Sequence, residues 1–176
     1  MTPSALSTWL APVLAWPAVD RTRRNHGLEH ATITLLSQKQ RVNMAGRSTP
    51  NGFYLYGEVT TEALTEAAQA ALERMRAGEH SLAVHPNCGT NFVTSGLMAA
   101  LAAMVGLWGA NNGRARWERF PIVVLLATLA LIFAQPLGLT LQREVTTSGD
   151  MRGLEITRIT RQPGGRWTTH FVETQN

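Results

Sequence analysis

The sequence predicts an α+β fold built from four stretches: an apolar anchor over 1–19, an α+β unit over 20–91, a two-helix transmembrane hairpin over 92–141 and a C-terminal β-hairpin over 142–176. Three observations predict it. Two long apolar blocks lie close together in the second half of the 176 residues. The segment before them alternates helix-periodic and strand-like stretches, and the segment after them has apolar and polar residues alternating around a Pro-Gly-Gly turn.

Phe92 to Ala110 contains no charged residue, and Phe120 to Leu141 is interrupted only by Gln135 and threonines. Each block is near the roughly 20 residues that cross a bilayer core of about 30 Å. The mean hydropathy of −0.06 averages these blocks away. Helices apolar all round must be covered on every side, and this chain is too short to bury two of them in a soluble core. The connection at 111–119 is short enough to make the spans antiparallel. Trp108 and Trp117 bracket it, as indoles do at a bilayer interface. Small residues Gly96, Ala99, Ala100, Ala103 and Gly106 would let the two backbones approach closely.

The N-terminal stretch Ser4 to Val19 is apolar but short, and Pro12 and Pro17 interrupt it. No basic residue precedes it, which argues against a secretory signal. It reads as an interfacial or re-entrant anchor with Trp9 and Trp16 on one helical face. The basic residues divide between the turn (Arg114, Arg116, Arg119) and the anchor's end (Arg21, Arg23, Arg24), so the positive-inside rule pulls both ways. Arg21, Arg23 and Arg24 suit anionic inner-leaflet headgroups, and a lone thiol stays reduced in the cytoplasm. The expectation is a multi-pass protein of the bacterial inner membrane with both termini cytoplasmic.

Between anchor and first span, Asn25 is read as the N-cap of a helix from His26 to about Gln40. Arg47 to Gly52 reads as a loop and Phe53 to Val59 as a strand. Thr61 caps a helix over Glu62 to Ala77, whose stripe of Leu64, Ala67, Ala68, Ala71, Leu72 and Met75 is core packing. Gly78 ends that helix, and Ser81 to His85 is expected as a short strand. At the C-terminus, Leu154 to Arg161 and Arg166 to Val172 flank Gln162-Pro163-Gly164-Gly165 as a hairpin. A lone hairpin is marginal in water, so it is expected to pair with the strands at Phe53 and Leu82.

The chemistry concentrates in two short motifs. In His26-Gly27-Leu28-Glu29-His30 the two imidazoles, four residues apart, share one helix face, and Glu29 flanks it. This H-x-x-E-H order mirrors the zinc-hydrolase H-E-x-x-H helix; the histidines bind metal and the glutamate handles protons. His85-Pro86-Asn87-Cys88 adds another imidazole and the chain's single cysteine, which cannot form an internal disulfide. Candidate metal ligands are therefore His26, His30, His85 and Cys88, and the candidate catalytic residue is Glu29. His80 and His170 stand outside both motifs and are read as surface residues. This makes the α+β unit a small metal-binding module on the membrane surface.

The run Asn25 to Ile33, followed by His85-Pro86-Asn87-Cys88-Gly89-Thr90-Asn91-Phe92 and a hydrophobic span, resembles a group of uncharacterised bacterial membrane proteins, domains of unknown function described as predicted metal-dependent enzymes. Their pattern reads H-G-x-E-H-x-x-I and then H-x-x-C-G-T-x-F at the mouth of a transmembrane helix. The likeness covers about residues 25 to 95 and implies that His26, Glu29, His30, His85 and Cys88 form the site. Asn87 stands where that group often has arginine, which leaves the ligands intact but not a shared contact to an anionic substrate.

These readings lead to a membrane-embedded hydrolase, with a peptidase as one form, in which Zn²⁺ activates water and Glu29 is the general base. A thiolate favours zinc over Fe²⁺ or Mn²⁺. If His26, His30 and Cys88 bind metal and His85 stands behind them, a coordination position stays open. If His85 also binds, the site closes into a structural clamp, the alternative function. The net charge of +4 and pI of 10.2 come from dispersed residues without an aromatic platform. They are assigned to the lipid bilayer as partner, not to nucleic acid.

Overall fold

A computed structural model describes residues 5–164 and 167–176, which fall into two compact units. The first runs to His85 and resumes at Arg143; the second is Pro86–Gln142.

The first unit opens with α1 (Ala5–Leu14), which contains Pro12, and α2 (Pro17–Lys39). Helix α2 begins nine residues earlier than the sequence reading expected. Pro17 occupies the first turn, where its missing N–H costs nothing and its fixed φ suits the helix. Asn25 is therefore no cap: it is buried in mid-helix, donating to the Thr49 carbonyl at 2.9 Å and accepting from Thr174 Oγ1 at 2.7 Å.

The expected loop is also corrected. β1 (Ala45–Thr49) and β2 (Gly52–Tyr56) form a tight antiparallel pair around Pro50 and Asn51. β1 escapes a hydrophobic-alternation reading because the positions it turns towards Glu29 are Gly46 and Ser48. Helix α3 (Thr61–Arg76) follows, capped by Thr60 rather than Thr61: the Thr60 hydroxyl accepts from the Ala63 N–H at 3.2 Å. All six residues of its expected stripe are buried. Gly78 follows it with φ of 104°, in the left-handed region that glycine enters freely. Instead of a strand at Ser81 to His85 the chain makes a 3-10 turn, His80–Ala83.

β3 (Glu155–Arg161) and β4 (Thr169–Gln175) complete an antiparallel sheet of order β1-β2-β4-β3. The C-terminal hairpin thus pairs with β2 as expected, through Phe53 opposite Val172 and Leu55 opposite His170. No second pairing forms at Leu82, which lies in the 3-10 turn. Gly165 and Arg166 lie outside the described residues. The inner sheet face brings Phe53, Leu55 and Val172 into one core with Leu28 and Leu36 of α2 and Leu64 and Met75 of α3. His170 points into this layer and is 1% exposed, not a surface residue; its Nε2 meets Thr61 Oγ1 at 3.0 Å.

The second unit is a helical hairpin of α4 (Gly89–Gly106) and α5 (Gly113–Leu141), both long and apolar enough to cross a membrane. Asn112 caps α5 by accepting from the Ala115 N–H at 2.8 Å. Near the other end, Gln142 donates to Asn91 Oδ1 at 2.7 Å, and Asn91 donates to the Pro86 carbonyl at 2.7 Å. These side chains are buried, so each amide is satisfied by its neighbour where water cannot serve. Residues Gln142–Thr146 continue the chain as a π-helical turn.

Candidate metal centre

His26 and His30 lie on one face of α2, and their ring centroids are 4.4 Å apart. The segment after the 3-10 turn brings the His85 ring to 5.7 Å from that of His30. Each α2 imidazole is held by a backbone carbonyl. His26 Nδ1 donates to Thr146 O at 2.9 Å, and His30 Nδ1 donates to Ala83 O at 2.8 Å. A carbonyl can only accept, so each Nδ1 carries a proton, and the neutral form of each ring is the one that offers Nε2. This is the tautomer a metal requires, fixed by the outer hydrogen bond that usually orients ligand histidines.

The carbonyl that holds His26 belongs to a segment whose neighbouring carbonyls also accept from α2. Arg23, one turn before His26, donates from Nε to Val145 O at 2.7 Å and from Nη2 to Glu144 O and Thr147 O, both at 3.1 Å. Together Arg23 and His26 engage four consecutive carbonyls, 144 to 147. The Ser148 N–H returns to the Arg23 carbonyl at 2.9 Å. A guanidinium at the C-terminal end of a helix meets the negative pole of its dipole and its orphan carbonyls together. Burial pulls the Arg23 pKa below its ordinary value, with Asp20 acting in the opposite sense. Gly27 completes the fit, because a Cβ there would collide with the Ser148 carbonyl.

Glu29 is 4% exposed. It accepts a 2.5 Å hydrogen bond from Ser48 Oγ of β1. Gly46, the neighbouring inward residue of β1, leaves room for the carboxyl; a Cβ there would overlap it. Burial raises the Glu29 pKa above its ordinary value, against the Ser48 hydrogen bond and the charge of His26. A carboxyl so placed takes up a proton more readily than an exposed glutamate.

His85 is half-buried, and burial lowers its pKa, which favours the neutral, ligating imidazole. The first unit therefore brings together His26, Glu29, His30 and His85. Cys88 is buried at the N-cap of α4, in the second unit. His80 stands apart, exposed, with Nδ1 on the Gly149 carbonyl at 2.7 Å.

Sequence reasoning missed Gly46, Ser48 and Arg23. The first two sat in an apparent loop without apolar signal. Arg23 and Arg24 looked like headgroup binders, yet Arg23 turns to the 144–147 carbonyls, and Arg24 is 1% exposed, bonded to Asp20 at 3.0 Å and Asn176 at 2.6 Å. One available signal was helical spacing: Arg23 precedes His26 by three residues and so shares its face.

Comparison with known proteins shows kinship with uncharacterised bacterial proteins. An uncharacterised protein of Picosynechococcus sp. (strain ATCC 27264 / PCC 7002 / PR-6) is 35% identical over 144 residues, 72% of this chain and 65% of that protein. The chain thus spans a little under two thirds of the length of this curated relative. No solved structure matches. The family described as Domain of unknown function (DUF6391) matches residues 21–159, which include the α2 motif, the His85–Cys88 motif and both apolar helices. The chain belongs to that family.

Proposed function

We propose that this protein is a membrane-embedded, metal-dependent hydrolase with zinc as its metal. The observation that supports this most directly is the pair of imidazoles whose Nδ1–H groups are both committed to backbone carbonyls, next to a buried carboxyl with a raised pKa. The donor set suits zinc: neutral imidazole nitrogens that offer Nε2, and a cysteine three residues from His85 in the chain. In this reading His26, His30 and Cys88 hold the metal, and His85 stands beside His30. When bound, zinc supplies the Lewis acidity that brings a water's pKa down to about 7. Glu29 takes up the proton on its carboxylate and returns it to the leaving group. Ser48 holds one carboxylate oxygen meanwhile, so the side chain does not wander between the two transfers. In this reading the protein is a multi-pass protein of a bacterial inner membrane with the site on the cytoplasmic side, and the length and composition of the two apolar helices support its membrane part.

The test begins with metal analysis of protein purified without chelator. About one zinc per chain is expected, and a chain that binds no transition metal even after reconstitution overturns the reading. Glu29→Gln keeps the side chain's size but cannot accept the proton. It should retain metal and thermal midpoint while failing to complement a deletion strain. His30→Ala should lose both metal and complementation. A Glu29→Gln variant that complements fully would instead assign the metal to a structural clamp.

A further inference from the structure

At the turn of the helical hairpin, a cleft of about 230 Å³ is lined by Leu107, Arg116, Trp117, Phe120 and Val123. Arg116, Phe120 and Val123 are spaced i, i+4 and i+7 along α5, so they form one stripe, about 10 Å long at 1.5 Å per residue. The stripe is graded: a guanidinium at the polar end, then an aromatic ring, then an aliphatic side chain running into the apolar helix. Trp117 flanks it, its ring 5.8 Å from that of Phe120, and both are largely exposed.

The other cations of the turn are engaged. Arg114 pairs with Glu118 at 2.9 Å, and Arg119 donates to the Trp108 carbonyl. Among the described residues the Arg116 side chain has neither an ion pair nor a hydrogen-bond partner. It is an uncommitted guanidinium beside an indole at the mouth of an apolar cleft. Its neighbours leave the turn a net positive charge: three arginines against Glu118.

We propose that this cleft binds an anionic glycerophospholipid. Arg116 meets the phosphate, the Trp117 indole lies at headgroup level, and one acyl chain lies along Leu107, Phe120 and Val123. The chemistry follows the grading of the stripe, because such a lipid is a phosphate joined to a hydrocarbon chain. A planar guanidinium suits phosphate oxygens, and aromatic side chains favour the bilayer interface. The proposal rests on the reading of α4 and α5 as membrane spans and is independent of the metal centre.

The test uses the full chain in a non-ionic detergent, with phosphatidylglycerol and phosphatidylcholine of identical acyl chains in competition and bound lipid counted by native mass spectrometry. Wild type should retain phosphatidylglycerol in preference. Arg116→Gln should weaken that retention about five-fold, the effect of one basic residue at a membrane surface. The double variant Arg116→Gln with Glu118→Gln restores the net charge of the turn but not the guanidinium, and it should be equally weak. Wild type retaining both lipids alike, or the charge-restored variant recovering wild-type preference, overturns the site. If instead the chain leaves the membrane fraction in alkaline carbonate without detergent, the spanning reading fails, and the lipid site fails with it.

Discussion

Gly46 shows how closely the candidate base is fitted. Its missing side chain is the space the Glu29 carboxyl occupies, and Ser48 holds that carboxyl in place. Gly46→Ala would push the carboxyl aside or spread β1 from α2, at about 1–3 kcal/mol, as overpacked sites do. The expected outcome is a lowered thermal midpoint together with loss of complementation. Gly46→Ala protein that melts normally and complements normally would show that the carboxyl has another place to go. Ser48→Ala serves as the comparison, since it removes the hydrogen bond without adding volume.

At the scale of elements, the important contact within the first unit is between one turn of α2 and the carbonyls of 144–147. Arg23 makes three of those bonds from a single planar group. A lysine keeps the charge, but its compact ammonium cannot span three carbonyls in the same fork. Arg23→Lys should therefore destabilise by about 1–3 kcal/mol, the loss expected when hydrogen bonds to a charged group go unmade. Because Thr146 lies within the same segment and holds His26, the proposed zinc binding should weaken as well. Equilibrium metal competition alongside thermal unfolding reads both, and unchanged affinity in a destabilised variant would limit Arg23 to a purely structural part.

For the molecule as a whole, pH dependence reports on buried groups. Burial, helped by the charge of Arg161 and opposed by Glu62, depresses the His170 pKa below its ordinary 6.5. The sign follows from linkage: the unfolded chain binds this proton more readily, so the stability His170 contributes is present above about pH 6.5 and is lost as pH falls through the folded-state pKa. Glu29 acts in the other sense. Its raised pKa means a contribution present below the ordinary 4.5 and lost as pH rises through the folded value. Thermal midpoints measured from pH 7.5 downwards should decline below about 6.5 in the wild type and decline less in His170→Gln. Identical profiles for the two proteins would mean that His170 stays buried and charged at no cost.

The sequence by itself determined what depends on local pattern. The α3 stripe and the C-terminal hairpin are legible because periods of 3.6 and 2 residues are written in their apolar residues, and the two apolar helices because each is a long run with almost no charge. The helical spacing of His26 and His30 is legible for the same reason. Tertiary structure alone decided the rest. Ala45–Thr49 pairs as a strand although its inward residues are glycine and serine, because what they pack against is a carboxylate. The length of α2 was set by a proline whose role depends on whether its N–H is needed. Arg23, Arg24 and His170 look like surface residues in sequence, since a polar side chain does not announce its partner. Their partners are main-chain carbonyls, an aspartate, an asparagine and a threonine hydroxyl as many as 152 residues away along the chain. The tautomers of His26 and His30 belong to the same class. They depend on carbonyls supplied by a π-turn and a 3-10 turn, and residue type says nothing about which backbone oxygen will arrive beside a ring.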